Sequence, residues 1–414
     1  MAAPESDGST VPSVGPLTGI RVVELGMWVA GPGAGGILAD WGADVVKIEP
    51  PGGDPARSFG GMLGINDGTN PPFDLDNRSK RSIALDLSSE AGRQIVHDLL
   101  ADADVFLTNI RLDALARVGF SSDELCARYP RLVYALVTGY GIDGPDANRR
   151  AYDIAAYWAR SGIAHALTPP DGALPFQRGG MGDHTVAMTA AAMTSAALVH
   201  RERTGQGQLV TTSLLRQGAY TIGFDVNVAL MWGYNIQLGN RATMRNPTIN
   251  NYTAGDGRRF WIVGLEADRH WPPLARAVGH PEWLTDPKYA TAAERGDHAE
   301  ALIAELDEIF ATKPLDEWAE IFEQDPEFIW SPVNSVNDLI VDPQFFAAGG
   351  VVTVPDENGG ALMLATPADF YGTPAGPRFR PPRLGENSRA ILAELGRSED
   401  DVEALIESGI VTAS

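Results

Sequence analysis

Strand-like apolar runs alternate with helical patterns through the N-terminal third of the chain, and this alternation limits the fold more than any other feature. The strand-like runs cover residues 20–25, 44–49, 105–109 and 132–137. Between them, residues 31–41 and 88–100 carry apolar side chains at helical spacing, and Ser121 to Glu124 form a capping-box pattern. Strands joined through helices form a mostly parallel sheet with helices on both faces. The sequence therefore predicts an α/β fold.

A glycine-rich segment, Arg178-Gly-Gly-Met-Gly-Asp183, leads into a long helical pattern that starts at Asp183 and reaches about residue 200. The first turn of a helix presents unpaired backbone N–H groups and a partial positive charge. We expect a carboxylate there to stay ionised, so Asp183 is a candidate nucleophile towards an activated acyl group. Asp is also a favoured N-cap residue, and a purely structural role would explain it equally well.

The region after residue 225 has a different pattern, which predicts a smaller α+β domain. Two strand-like runs, 251–253 and 259–263, flank Gly255-Asp-Gly257, and Asp-Gly between apolar runs indicates a hairpin. Amphipathic helices are expected at 298–312 and 315–323. Residues 215–250 look irregular, the Pro/Gly-rich stretch 351–384 looks extended, and two closing helices are expected at 388–395 and 399–408.

Composition excludes several classes of partner. The 414 residues exceed what one simple core needs, and the net charge of −22 would repel nucleic acid and anionic membranes. The single cysteine excludes an internal disulfide and suits a reducing cytosol, so we expect a cytoplasmic protein. Residues 1–15 contain no Lys or Arg and no apolar core, which favours a flexible leader over a signal peptide.

Two motifs could bind ligands. The surrounding sequence argues against a dinucleotide at the first motif and leaves phosphate binding at the second undecided. Gly31-Pro-Gly-Ala-Gly-Gly36 matches a dinucleotide fingerprint, but five residues separate it from the preceding strand and Pro32 removes a phosphate-binding N–H. These glycines more plausibly let a helix approach another backbone closely. The basic cluster Arg78-Ser-Lys-Arg81 is a candidate phosphate anchor or a solvated loop. The seven histidines show no paired spacing, so no metal site is predicted.

Longer motifs resemble the class III CoA-transferases, a family that includes formyl-CoA and carnitine CoA-transferases and the related α-methylacyl-CoA racemases. The similarity runs from about residue 16 to the end of the chain. The matching segments are residues 16–25, 30–32, 38–51, 77–87, 104–109, 117–120, 139–145, 204–207, 332–336, 342–344 and 384–386.

The resemblance implies a role for each candidate site residue. Asp183 falls where the family has its nucleophile, which forms a mixed anhydride with the acyl group and then a thioester with CoA. Backbone N–H groups of the glycine-rich loop would stabilise the oxyanion by about 3 kcal/mol each. The loop residues are Gly179, Gly180 and Gly182; the CoA contacts are Trp28, Val29, Ala30, Asn109, Arg117 and Tyr140, to which we add Arg78 and Arg81 for phosphate. CoA and acyl-CoA are then substrates, and no permanently bound cofactor is expected.

Departures from the family pattern limit which activity is expected. Val29, Pro50 and Thr138 replace side chains that serve formyl-CoA transferase, which argues against formyl or oxalyl substrates. The racemase branch has a catalytic His where this chain has Tyr152, and a Tyr of ordinary pKa near ~10 is a poor base at neutral pH. A CoA-transferase is therefore predicted, with a racemase or epimerase, or a catalytically silent acyl-CoA-binding homologue, as the alternatives.

The resemblance also implies an architecture. Family members have a Rossmann-like large domain with a parallel sheet plus a smaller domain, and two subunits form an interlocked ring-like homodimer. We accordingly expect a flexible leader at 1–15, the N-terminal part of the large CoA-binding domain at 16–224, the small domain with linkers at 225–330, and a return to the large domain at 331–414.

Overall fold

The structure is a computed structural model that describes residues 15–64, 67–169, 172–237, 239–357 and 359–414. The predicted leader lies outside the described residues except for Gly15. The chain divides into two compact units. The first combines the chain up to His165 with Phe176–Asn235 and Phe346–Ser414, and the second contains Ala166–Pro175 and Ile236–Phe345.

The strands follow the predicted alternation. They are β1 Arg21–Leu25, β2 Asp44–Glu49, β3 Lys80–Leu85, β4 Val105–Thr108, β5 Val133–Thr138, β6 Leu209–Ser213, β7 Ile249–Thr253, β8 Arg259–Val263, β9 Trp330–Pro332, β10 Val351–Val354, β11 Ala361–Leu364 and β12 Val411–Thr412. The first unit contains a seven-stranded sheet in the order β12-β3-β2-β1-β4-β5-β6. Its strands are parallel except for β12, which pairs with β3 in the antiparallel sense.

The helices of the described residues, in chain order, are α1 Ala30–Asp40, α2 Phe59–Met62, α3 Pro71–Asn77, α4 Glu90–Ala101, α5 Leu112–Arg117, α6 Ser122–Arg128, α7 Ile163–Ala166, α8 Met181–Thr204, α9 Leu214–Thr221, α10 Gly223–Trp232, α11 Trp271–Ala277, α12 Ala292–Asp297, α13 Ala299–Phe310, α14 Leu315–Phe322, α15 Val336–Leu339, α16 Pro343–Ala347, α17 Ser388–Glu394 and α18 Glu399–Glu407. Short 3₁₀ turns occur at Pro55–Ser58, Arg241–Thr243 and Pro281–Leu284, and a π-helix spans Ile154–Ala159.

Apolar cores lie on both faces of the large sheet. Neighbouring residues of β1 point to opposite faces, so Val22 joins a core with α1 and α8 while Val23 joins a core with α4, α17 and α18. This two-sided burial explains why the parallel strands have near-continuous apolar runs. The predicted α/β fold with a large, mostly parallel sheet is confirmed.

Some local predictions are wrong. Residues 215–250 were expected to be irregular, but they include α9 and α10. Helix α10 carries apolar residues on all of its faces, and no residue of this helix is buried. The segment therefore has no amphipathic period that identifies a helix. The stretch 351–384 does contain extended backbone as expected, in the strands of the β10–β11 hairpin. Ser89 rather than Ser88 caps α4, whereas the capping box at Ser121 is confirmed.

The second unit is a three-stranded antiparallel sheet, β7-β8-β9, packed with helices. The predicted hairpin and the two amphipathic helices, α13 and α14, are present. Its core is aromatic, because the rings of Phe310 and Phe322 lie 5.0 and 5.6 Å from that of Phe260. In neither described unit does a helix combine the length and the apolar character that a membrane span needs.

Candidate active site

The loop from β1 to α1 is held in one conformation by two side chains. Asn109, just after β4, accepts a hydrogen bond from the Met27 N–H (3.0 Å) and donates one to the Met27 carbonyl (2.8 Å). Trp28 has a φ of 65°, which a residue other than glycine rarely adopts. Its N–H donates to Asp54 Oδ1 at 3.0 Å, which fixes this strained residue at the carboxyl end of the sheet.

The glycines of α1 serve packing. Because α1 begins at Ala30, they lie within the helix and do not form a phosphate-binding turn. A Cβ at Gly31 would come within 3.0 Å of Asn109, and one at Gly33 within 3.1 Å of Ala187 on α8. At Gly36 it would lie 2.8 Å from the carbonyl oxygen of Asp76. The prediction that these glycines permit close approach is confirmed.

Charged residues that we did not predict are buried beneath this loop. Lys47 Nζ contacts Glu24 Oε1 (3.1 Å) and Asp54 Oδ2 (2.9 Å), and it donates to the Gly26 carbonyl. Lys80 Nζ lies 2.7 Å from Glu24 Oε2 and donates to the Pro32 carbonyl at 2.7 Å. Burial lowers the pKa of Lys80 to about 8, although Glu24 opposes this. These buried charges could have been predicted from the sequence, because each is a Glu or Lys inside an otherwise apolar parallel strand or next to one.

Asp183 lies in the first turn of α8, but it does not cap that helix. The N-cap is Gly180, whose φ of 73° suits glycine, so α8 starts at Met181 and Asp183 is its third residue. The prediction that the helix starts at Asp183 is therefore wrong. Gly182 is required sterically, because a Cβ there would lie 2.5 Å from Cγ of Tyr157.

The protonation of Asp183 also differs from the expectation. Burial, followed by the nearby charge of Asp153, raises the pKa of Asp183 to about 7, and only part of this is offset by His184. These effects act against the field of the helix terminus, which favours the ionised form. Asp153 is held by Gln177, which donates to Oδ2 at 2.8 Å, and by the Ile154 N–H, which donates to Oδ1 at 2.7 Å.

Asp183 lines a cleft of about 400 Å³ at the carboxyl end of the sheet. The cleft brings it together with Trp28, Ala30 and Asn109 from the predicted set, and also with Tyr152. Val29, which lies between Trp28 and Ala30 in the sequence, is the N-cap of α1 and is buried. The rings of Phe59 and Tyr152 lie 5.6 and 5.8 Å from that of Trp28.

The other predicted site residues lie near or away from this cleft. Arg117 is largely exposed on α5, and Tyr140 follows the cleft-lining Gly139. Arg78 is 1% exposed and uses its guanidinium on Asp40 (2.7 Å) and on a backbone carbonyl. Arg81 pairs with Asp44 near the amino end of the sheet, opposite the cleft. We therefore leave Arg78 and Arg81 out of the proposed CoA site.

His184 has a partner that the sequence did not reveal. The residue lies in the first turn of α8, and 45% of its side chain is exposed. Its Nε2 nevertheless lies 3.1 Å from Oδ1 of Asp76, which is 108 positions earlier in the chain and buried. Within the described residues, no group of three or more His, Cys, Asp or Glu side chains could hold a metal ion.

Comparison with known proteins identifies the class. The sequence profile of CoA-transferase family III matches residues 17–388. The chain is 30% identical to (R)-2-hydroxy-4-methylpentanoate CoA-transferase of Clostridioides difficile over 95% of this chain and 99% of that protein. It is 32% identical to cinnamoyl-CoA:phenyllactate CoA-transferase of Clostridium sporogenes, covering 94% and 95%.

A solved structure agrees with the sequence comparisons. A CAIB/BAIF family protein from Brucella suis superposes with a TM-score of 0.80 and 32% identity, over 92% of this chain and 99% of that one. The chain belongs to CoA-transferase family III. It is an enzyme of the acyl-CoA:carboxylate CoA-transferase class.

Proposed function

We propose that the enzyme moves CoA from an acyl-CoA to a free carboxylic acid through covalent intermediates on Asp183. The observation that carries the proposal is the position of Asp183. Its carboxylate lines the same cleft as the β1–α1 loop and Asn109, at the edge of the sheet where α/β proteins bind ligands. An ionised carboxylate whose pKa is raised is also a better nucleophile than an ordinary one, because nucleophilicity rises with basicity.

The proposed reaction has two symmetrical halves. The Asp183 carboxylate attacks the thioester carbonyl, the C–S bond breaks, and CoA leaves as a thiolate while the acyl group stays on Asp183 as a mixed anhydride. The thiolate then attacks the aspartyl carbonyl, which releases the first carboxylate and leaves an aspartyl-CoA thioester. The incoming carboxylate attacks this thioester, and the released thiolate attacks the new acyl carbonyl. The products are the new acyl-CoA and free Asp183.

Stabilisation of the oxyanion is assigned to the backbone at the start of α8, where Gly179, Gly180 and Gly182 remain the proposed donors. A Cβ added at Gly179 would meet no atom within 4 Å, so a substrate can approach this backbone closely. Each donor aimed at the oxyanion is worth about 3 kcal/mol of transition-state stabilisation.

A second, apolar cleft supports a position for the nucleotide end of CoA. It has a volume of about 240 Å³ and shares Met27, Ile110 and Ala114 with the main cleft. Pro50, Pro51 and the residues that follow β3 contribute to its lining. We place the adenine there, so that the pantetheine arm runs along the β1–α1 loop to Asp183. Arg117 and Tyr140 remain proposed contacts on the rim.

A transfer assay tests this function against its alternatives. The enzyme is incubated with a radiolabelled carboxylic acid and a panel of CoA thioesters. We expect label to move into thioester, and Asp183→Ala to abolish the transfer while CoA binding is nearly unchanged. Exchange of only the α-proton would indicate a racemase, which Tyr152 disfavours, and binding without either reaction would indicate a silent homologue. Transfer by Asp183→Ala at the wild-type rate would refute the mechanism.

A further inference from the structure

The geometry points to His184, held by Asp76, as a positioning residue that supplies the positive charge beside Asp183 and so keeps this nucleophile ionised. The inference rests on the proposed function, because it assigns Asp183 the nucleophilic role. It explains a feature that the covalent mechanism does not use, namely a buried carboxylate on α3.

The first observation is the contact itself. Asp76 belongs to the last turn of α3, and its side chain is 5% exposed. A buried carboxylate is costly unless a positive charge and hydrogen bonds accompany it. His184 Nε2 reaches Asp76 Oδ1 at 3.1 Å from the turn of α8 that also carries Asp183. A protonated imidazole would satisfy the buried carboxylate, and His184 directly follows the nucleophile in the first turn of α8.

The second observation is the space that glycines leave for this pair. A Cβ at Gly33 would lie 3.3 Å from Asp76 Oδ1 and 3.7 Å from Cδ2 of His184. A Cβ at Gly180 would lie 3.3 Å from Cε1 of the same imidazole. The two distances of 3.3 Å are shorter than side-chain contacts usually are, and the distance of 3.7 Å is an ordinary contact. Two separate segments therefore lack a side chain where the imidazole and its carboxylate meet.

The third observation is the balance of charge around Asp183. The charges of Asp153 and Asp76 both raise the pKa of Asp183, in addition to the effect of burial. His184 is the cation that opposes them among the described groups that act on Asp183. Without that cation, ionising Asp183 would add a third negative charge to a partly desolvated cluster.

Neighbouring groups also favour a protonated His184. Its hydrogen bond to Asp76 is the largest cause that raises the pKa of His184, and the charges of Asp183 and Asp153 act in the same direction. Burial raises the pKa of Asp76, whereas His184, Lys80 and Lys47 favour its ionised form. The groups around the pair thus favour a positive charge on His184 next to Asp183 in the sequence.

The test compares a neutral and a charged replacement. We would measure the pH profile of kcat/KM for the wild type, His184→Gln and His184→Lys, with His200→Gln as the control because it lies exposed at the other end of α8. In His184→Gln the acidic limb should move up by about one pH unit, so that activity falls about tenfold near pH 6 and recovers near pH 9. His184→Lys and His200→Gln should keep the wild-type limb.

Other outcomes separate this inference from the proposed function. If kcat/KM of His184→Gln falls equally at every pH, His184 has only a structural role and the inference fails. It also fails if the acidic limb of the profile does not move in His184→Gln, or if it moves by the same amount in His184→Lys. Asp183→Asn is measured in parallel. If it is inactive while the His184 variants keep the wild-type limb, the inference alone fails. If it remains active, the proposed function fails.

Discussion

Replacing Asp183 by Asn should stabilise the folded enzyme, and the gain should grow with pH. The pKa of Asp183 rises from 3.8 to about 7 on folding because of burial and the charge of Asp153. The unfolded chain therefore releases this proton at lower pH than the folded chain does, and stability falls as pH rises from 3.8 to 7. Below this range the penalty is absent, and above it the penalty is complete.

The magnitude follows from proton linkage. A tenfold change in proton affinity corresponds to about 1.4 kcal/mol, so the complete penalty is about 4 kcal/mol. About 2 kcal/mol of it is present at pH 5 and nearly all of it at pH 8. The advantage of Asp183→Asn over the wild type should thus increase by about 2 kcal/mol between these two pH values.

Urea unfolding of both proteins at pH 5 and pH 8 measures this difference. Effects of the Asn side chain that do not depend on pH cancel in the comparison. Asp225→Asn is the matched control, since Asp225 is likewise the third residue of its helix, α10. The gain in the free energy of unfolding of Asp183→Asn over the wild type should be larger at pH 8. A gain that is the same at both pH values, or smaller at pH 8, would refute the claim that the pKa of Asp183 is raised.

Three further predictions concern individual contacts. Gly182→Ala should reduce kcat at least tenfold with little change in KM, because the new Cβ meets Tyr157 at 2.5 Å and displaces the start of α8; steady-state kinetics check this. Asn109→Ala should raise KM for acyl-CoA about tenfold by releasing the β1–α1 loop, as the same assay would show. Arg78→Met should destabilise the fold by about 3 kcal/mol by leaving Asp40 buried without its partner, while KM for CoA stays unchanged; an increase in KM would restore Arg78 to the CoA site.

Assembly is a separate proposal. On α10, the side chains of Phe224, Leu230, Met231 and Trp232 are each at least 75% exposed. An apolar surface of this kind is characteristic of a protein interface. We expect a homodimer by light scattering, and Met231→Glu/Trp232→Glu should shift it towards monomer.

The sequence predicts local features well where the cause is local. The strand that contains Val22 was predicted from the alternation of strand-like runs with helical patterns, and it is present. The capping box at Ser121 was predicted from a pattern of four residues, and it is also present. Asp183 was found from a glycine-rich loop followed by a helical pattern, and it does line the cleft. Its pKa was not predictable, because burial and the distance to Asp153 exist only in the folded chain.

Pairings between distant residues were missed for the same reason. His184 and Asp76 are 108 positions apart, and no spacing rule joins a helix start to the end of another helix. Arg78 was interpreted as a phosphate anchor or part of a solvated loop because it lies in a basic cluster, yet it is buried together with its partner Asp40. Helix α10 was missed because a helix that is apolar on all sides has no period to detect.

Oxygen transfer into Asp183 tests the central claim most directly. In the proposed reaction, the second half leaves one oxygen of the incoming carboxylate on Asp183. After turnover with an ¹⁸O-labelled acid, the tryptic peptide 179–201 should gain heavy oxygen, and fragmentation should locate it at Asp183. Turnover that leaves this peptide unlabelled, or that labels another carboxylate, would contradict a covalent role for Asp183.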